Sequence, residues 1–129
     1  MGPQFLLDSN ALIDYTGGLL PLSSALVIDE LLNETFYLSI VVRIEVLGFR
    51  GPTAQMQQLE DFLSLATLLY IDDEVANQTI QLRRRQPKLK LGDALIASTA
   101  LVHNLHLITR NLRDFKQIED LVLIDPYSW

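Results

Sequence analysis

The feature that most limits the folds open to this chain is a recurring unit. A short apolar run ends at an acidic or polar residue, and a helical stretch follows at once. Phe5-Leu6-Leu7 runs into Asp8. Val41-Val42-Arg43-Ile44 leads to Glu45 and on through Val46-Leu47, and Leu91-Gly92 precedes Asp93-Ala94-Leu95-Ile96. A further polar cluster, Thr109-Arg110-Asn111-Leu112-Arg113-Asp114, follows Leu105 to Ile108. Carboxylates flanked by Leu, Ile and Val are expected to be partly buried. A buried charge must be paired, neutralised or bound to a metal. Convergence of three or four such acids would attract a hard divalent cation.

The pattern along the chain alternates between two periods. Strands are expected at Phe5 to Asp8, Phe36 to Ser39, Thr67 to Ile71, His106 to Thr109 and Leu121 to Ile124. Helices are expected after each: Ala11 to Tyr15, capped by Ser9 or Asn10 and ended by Gly17-Gly18, then Ser23 or Ser24 to Leu32. Next come a helix carrying Glu45 and stopping at Gly48, Thr53 to Leu65, and a helix from Asp72 or Asp73 to Arg85. Gly92-Asp93 opens another to Asn104, and the last spans Leu112 to Gln117. Strands alternating with helices predict an α/β domain with a mainly parallel sheet. Ligands of such sheets bind beyond the carboxyl ends of the strands, where Asp8, Glu45, Asp93, Asn111 and Asp114 can share one crevice. No internal repeat, low-complexity tract or linker interrupts residues 1–129.

Composition narrows the chemistry. With 129 residues, 49% hydrophobic and 20% charged, the chain suits one domain with a real core. It contains no cysteine. Disulfides, thiolate metal sites and cysteine nucleophiles are excluded, and a reducing compartment, the cytoplasm, is the expectation. No apolar stretch reaches membrane-spanning length, and no signal peptide is expected at the N-terminus. His103 and His106 lack zinc-site spacing and read as helix-end and strand residues. The net charge of −6 argues against a nucleic-acid binder. The distribution argues the other way. All Lys and Arg lie at or after Arg43, with Arg83, Arg84, Arg85, Lys88 and Lys90 in one stretch and Arg110, Arg113 and Lys116 in another. These read either as solvated helix faces or as two basic rims beside an acidic pocket. Leu59, Phe62, Leu63 and Leu65 suit core packing or a subunit contact, with core the default.

Asp8, Glu45, Asp93 and Asp114 are oxygen donors, as is the Asn111 amide, and hard Mg²⁺ or Mn²⁺ prefers such ligands. Taken singly, each acid has a plain structural explanation: a turn, a cap, an ion pair with Arg43, or a favourable place on a helix dipole. Four ordered motifs change that weighting. Asp8-Ser9-Asn10-Ala11-Leu12-Ile13-Asp14, Ser39 to Gly48, Gly92-Asp93-Ala94-Leu95-Ile96-Ala97 and Ile108 to Phe115 together resemble the PIN domain family, and more closely its VapC-type toxins of bacterial toxin–antitoxin pairs. The resemblance runs from about Phe5 to Asp125.

It implies a single PIN domain over residues 1–129, a three-layer α/β/α sandwich. It also implies a divalent-metal-dependent endoribonuclease that hydrolyses RNA phosphodiesters in line, leaving 5′-phosphate and 3′-hydroxyl ends. In that family Asp8, Glu45 and Asp93 would hold Mg²⁺ or Mn²⁺. Asn111 stands where many PIN domains carry a fourth acid, an amide there being usual among VapC-like members. Asp114 would complete the catalytic set, Asn10 would orient Asp8, and Thr109 would supply a strand-end hydroxyl beside the metal. Arg110, Arg113 and the Arg83 to Lys90 stretch would hold the RNA backbone. The implied partners are RNA, a cognate antitoxin covering the active-site groove and the N-terminal helices, and a second copy in a homodimer. The rival readings are a PIN nuclease of RNA processing and an inactive PIN-like binding module. Gly17 to Ser24, Phe49 to Thr53 and Gln86 to Leu91 are the loops expected to choose the target.

Overall fold

Five very short strands of two or three residues build the sheet. The computed structural model describes residues 2–129; Met1 lies outside the described residues. The order is β1 (Phe5–Leu7), α1 (Ser9–Thr16), α2 (Leu22–Leu32), β2 (Tyr37–Ser39), α3 (Ile40–Leu47), α4 (Thr53–Leu63) and β3 (Thr67–Leu69). Then follow α5 (Asp73–Arg85), α6 (Leu91–Val102), β4 (His106–Ile108), α7 (Leu112–Phe115), β5 (Leu123–Ile124) and a terminal 3₁₀ turn, Pro126–Ser128. The strands form one sheet in the order β3-β2-β1-β4-β5, and every pairing is parallel.

Parallel strands need crossovers, and these are almost always right-handed. The chain steps one way from β1 to β2 to β3, then returns to the far side of β1 for β4 and β5. Right-handed crossovers therefore put α1 to α4 on one face and α5 to α7 on the other, the expected three-layer α/β/α arrangement. Both faces of the sheet are covered, so its strands read as unbroken apolar runs. Leu6, Leu38 and Leu107 are fully buried at its centre, and Phe115 and Ile28 are as deeply buried in the flanking layers. The change of direction falls between β1 and β4, with Leu6 opposite Leu107 and Leu7 opposite Ile108. Crevices at such a switch point are where open α/β sheets bind ligands.

Helix starts differ from expectation in an informative way. Asp8 itself sits at the N-cap of α1 and accepts from the Ser9 amide, so neither Ser9 nor Asn10 caps it. Pro21 and Pro52 precede α2 and α4, with no side-chain cap. Proline presets the backbone there and lacks the N–H that a cap residue would leave unpaired. Ser39 does cap α3, accepting from Val41 N. Of the four apolar residues assigned to core by default, Leu59 and Leu63 are buried and Phe62 packs against the core, but Leu65 is exposed after α4 has ended.

Asp72 caps α5 by accepting from Val75 N at 2.9 Å. Replacing it with alanine removes that bond far from the switch point. Asp72→Ala is expected to cost about 1 kcal/mol in chemical denaturation, with the slope of the transition unchanged.

Candidate active site

Asp8 ends β1 and is almost wholly buried. The parallel seam brings Thr109, the residue after β4, beside it, and the Thr109 hydroxyl donates to Asp8 Oδ2 at 2.8 Å. The Ser9 amide donates to Asp8 Oδ1 at 2.8 Å. Asn10 sits across from both: its Nδ2 lies 3.5 Å from Asp8 Oδ2 and from Thr109 Oγ1, and its Oδ1 accepts from Arg110 N at 3.0 Å. Thr109 Oγ1 also accepts from Asn111 N at 3.0 Å. Asn10 and Thr109 thus reach Asp8 directly, and Asn111 reaches it through Thr109.

The other acids reach the same crevice from three helices. Glu45 lies in the second half of α3, not near its start, and is exposed. Helical spacing explains this: Val42 and Val46 point one turn apart into the core, which turns Glu45 toward the crevice. Ser9 Oγ donates to Glu45 Oε1 at 2.7 Å, linking α1 to α3. Asp93 is half-buried in the first turn of α6. Gly92 beside it faces α3: a Cβ there would stand 3.4 Å from Glu45 Oε2, in ordinary contact. Asp114, exposed on α7, accepts from Asn111 Nδ2 at 2.7 Å. The apolar flanks predict partial burial; Asp8 and Asp93 meet that, while Glu45 is exposed. Sequence reasoning also misses Ser9 as a link, although its place directly after Asp8 is the available signal.

Charge crowding is visible in the titration of these groups. Burial pushes the Asp8 carboxyl above its ordinary 3.8; the bonds from Thr109 and Ser9 pull it back, and the Glu45 charge pushes it up again. Burial also raises Asp93, helped by the charges of Asp8, Asp114 and Glu45 and opposed by Lys90. Among the described residues the one ion pair is Arg110 with Asp14, so no Lys or Arg neutralises a site acid at contact distance. Mutually repelling oxygen donors suit a hard divalent ion. Among the described residues no three acids or histidines stand close enough to form a ready coordination shell.

Beyond Asp93 and Asp114 opens a cleft of about 640 Å³. Arg85, Lys88, Lys90, Arg113 and Lys116 line it together with those two acids. The loop from Gln86 to Lys90 and α7 form its walls. Arg83 and Arg84 are exposed and do not line it. Neither does Arg110: its guanidinium donates to the buried Asp14 instead, because a carboxylate at 3% exposure needs a partner.

Fold and candidate site together describe a parallel α/β domain with acids at its switch point beside a cationic cleft. The chain is a member of the PIN domain family, whose pattern matches residues 5–121. It is 32% identical over 123 residues to Ribonuclease VapC19 of Mycobacterium tuberculosis, spanning 90% of this chain and 95% of that one. It is 28% identical over 124 residues to Ribonuclease VapC1 of Methanocaldococcus jannaschii, spanning 93% and 85% of the two chains. Its fold superposes with a TM-score of 0.78 on a chain of a toxin–antitoxin complex from Klebsiella pneumoniae, at 32% identity over 96% of this chain and 98% of that one. Among the described residues no helix is long and apolar enough to cross a membrane.

The raised Asp93 carboxyl has a stability consequence. An acid whose folded value lies above its unfolded one costs nothing below about pH 3.8. It costs increasingly as pH climbs through the folded value, and in full above it. Asp93→Asn is therefore expected to raise the melting midpoint of chelator-treated protein at pH 7, by an amount reduced through solvent screening of a half-exposed group. The gain should vanish below about pH 3.8 and shrink with added salt; calorimetry across pH checks it.

Proposed function

We propose that this chain is a VapC-type toxin: an endoribonuclease that hydrolyses RNA phosphodiester bonds with Mg²⁺ or Mn²⁺. The observation that carries the reading is the junction of the Asp8, Glu45, Asp93 and Asp114 cluster with a cleft walled by Arg85, Lys88, Lys90, Arg113 and Lys116. Acids alone repel a phosphate, and cations alone only bind one. The two together bind a polyanion and mark one place along it for chemistry.

Asp8, Glu45 and Asp93 would hold the ion, Glu45 from the exposed side of α3 and Asp8 from its buried place after β1. When bound, the ion supplies Lewis acidity, offsets the charge of the acids and acidifies a water. The chain's own residues do the rest. Thr109 and the Ser9 amide fix the two oxygens of Asp8, so that carboxylate does not reorganise during reaction. Asn111 holds Asp114 at the cleft mouth, where it accepts a proton from the attacking water. Arg113 and the lysines draw the RNA backbone along the cleft. Arg110, tied to Asp14, has a separate task.

The antitoxin partner rests on the Klebsiella pneumoniae relative, which is part of a toxin–antitoxin complex. Leu19, Leu22 and Leu26 form an exposed apolar strip where α1 leads into α2, suited to a partner's apolar side chains. The working state is a homodimer in the cytoplasm, where RNA is at hand. Residues 1–129 act as one domain.

Asp8→Asn and Asp93→Asn are each expected to lower RNA cleavage by about 10³-fold or more, and to weaken Mn²⁺ binding in calorimetry. Unchanged cleavage and unchanged Mn²⁺ binding in both would overturn the nuclease reading. Replacing Lys88, Lys90 and Lys116 with alanine should raise KM with little change in kcat. The dependence of log KM on log salt should flatten by about 0.7 for each phosphate that no longer meets a lysine.

A further inference from the structure

The segment between β4 and α7, Thr109 to Asn111, belongs to no regular element and leads into Asp114 on α7. Three contacts from α1 and its N-cap fix it. Thr109 donates its hydroxyl to Asp8, Arg110 donates its amide to Asn10, and Arg110 donates its guanidinium to Asp14 Oδ2 at 2.9 Å. Asp14 is 3% exposed, on the same helix as Ser9 and Asn10. The Tyr127 hydroxyl donates to the same Asp14 oxygen at 2.9 Å, so the C-terminal turn closes over the pair. Ser23 Oγ in turn donates to the Trp129 carbonyl and ties that turn to α2.

A buried carboxylate bonded to a guanidinium is a strong anchor for whatever carries the guanidinium, because freeing the guanidinium strands a buried charge that the phenol alone does not neutralise. Arg110 is the middle residue of the supporting triplet. Anchoring it sets where Thr109 and Asn111 stand on either side. From this geometry we infer that Asp14 and Arg110 are a positioning pair: they hold the Thr109–Asp114 segment in register with Asp8, and Tyr127 locks the pair from the C-terminus. The consequence for catalysis rests on the nuclease reading above; the consequence for order in the segment does not. A guanidinium that anchors the segment through Asp14 and one that holds the RNA backbone predict different kinetics.

The test uses the whole chain with Asp14→Asn, Arg110→Gln, the double variant and Tyr127→Phe. Arg110 and Tyr127 are exposed enough for their variants to fold even if Asp14→Asn does not. Amide hydrogen exchange is followed over residues 109–116, with Mn²⁺ calorimetry and steady-state cleavage beside it. Arg110→Gln and Asp14→Asn are each expected to speed exchange in that segment by about tenfold, to weaken Mn²⁺ binding, and to lower kcat by about tenfold with KM within about twofold. The double variant should be no worse than either single one, as for residues acting as a unit. Tyr127→Phe should show the same pattern more weakly. Unchanged exchange in Arg110→Gln overturns the inference. So does a raised KM with a flatter salt dependence and an unchanged kcat, the signature of a direct RNA contact. A wild-type chain that cleaves no RNA, while its variants still loosen residues 109–116, would leave the pair standing and remove the nuclease reading alone.

Discussion

The hydrogen bond from Thr109 to Asp8 is the joint on which the site depends. It crosses the seam between β1 and β4, the one place in the sheet where the chain order reverses. Residues 101 positions apart meet there because two three-residue strands pair in parallel and end level. Each strand stops at a residue that is polar and useful, and a slip in register would separate the hydroxyl from the carboxylate. The hydrophobic pairing of Leu6 with Leu107 therefore does more than stabilise the sheet. It sets the position of a functional oxygen.

Around that joint the supports have different characters. Asp8 is held by backbone and buried side chains and has no freedom to spare. Glu45 and Asp114 are exposed, and their partners, Ser9 and Asn111, are short polar groups at the rim. A site built this way has one fixed oxygen pair and two adjustable ones. That suits a cation whose ligands close on arrival, since a permanently closed cage of repelling carboxylates would cost the fold too much.

Much of this is legible in the chain without coordinates. The α/β class, the parallel sheet and the order of elements follow from apolar runs broken by acids, and the PIN resemblance rests on the four ordered motifs. Asp8 reads correctly as buried because three apolar residues lead straight into it. Glu45 does not, because its apolar neighbours follow helical spacing: Val42 and Val46 take the core and leave it outside. Caps are misplaced where proline does the work usually given to Ser or Thr, at Pro21 and Pro52. The cleft is half legible, since the basic stretch is plain in the sequence, but which of its members face inward depends on how α5 ends. The partnership of Asp14 with Arg110 and Tyr127 is out of reach, because it joins residues 96 and 113 positions apart and no local pattern announces it.

The charge distribution has a kinetic side. The molecule carries a net −6, yet the cations that matter face one cleft. At a distance longer than a Debye length a polyanion meets a screened, weakly repulsive body; within it, the same polyanion meets Arg85, Lys88, Lys90, Arg113 and Lys116. Such a surface does not collect nucleic acid indiscriminately, as a uniformly basic protein does. On the proposed ribonuclease reading, capture would be confined to strands that thread into the cleft, and selection would begin with shape and approach, before any base is read.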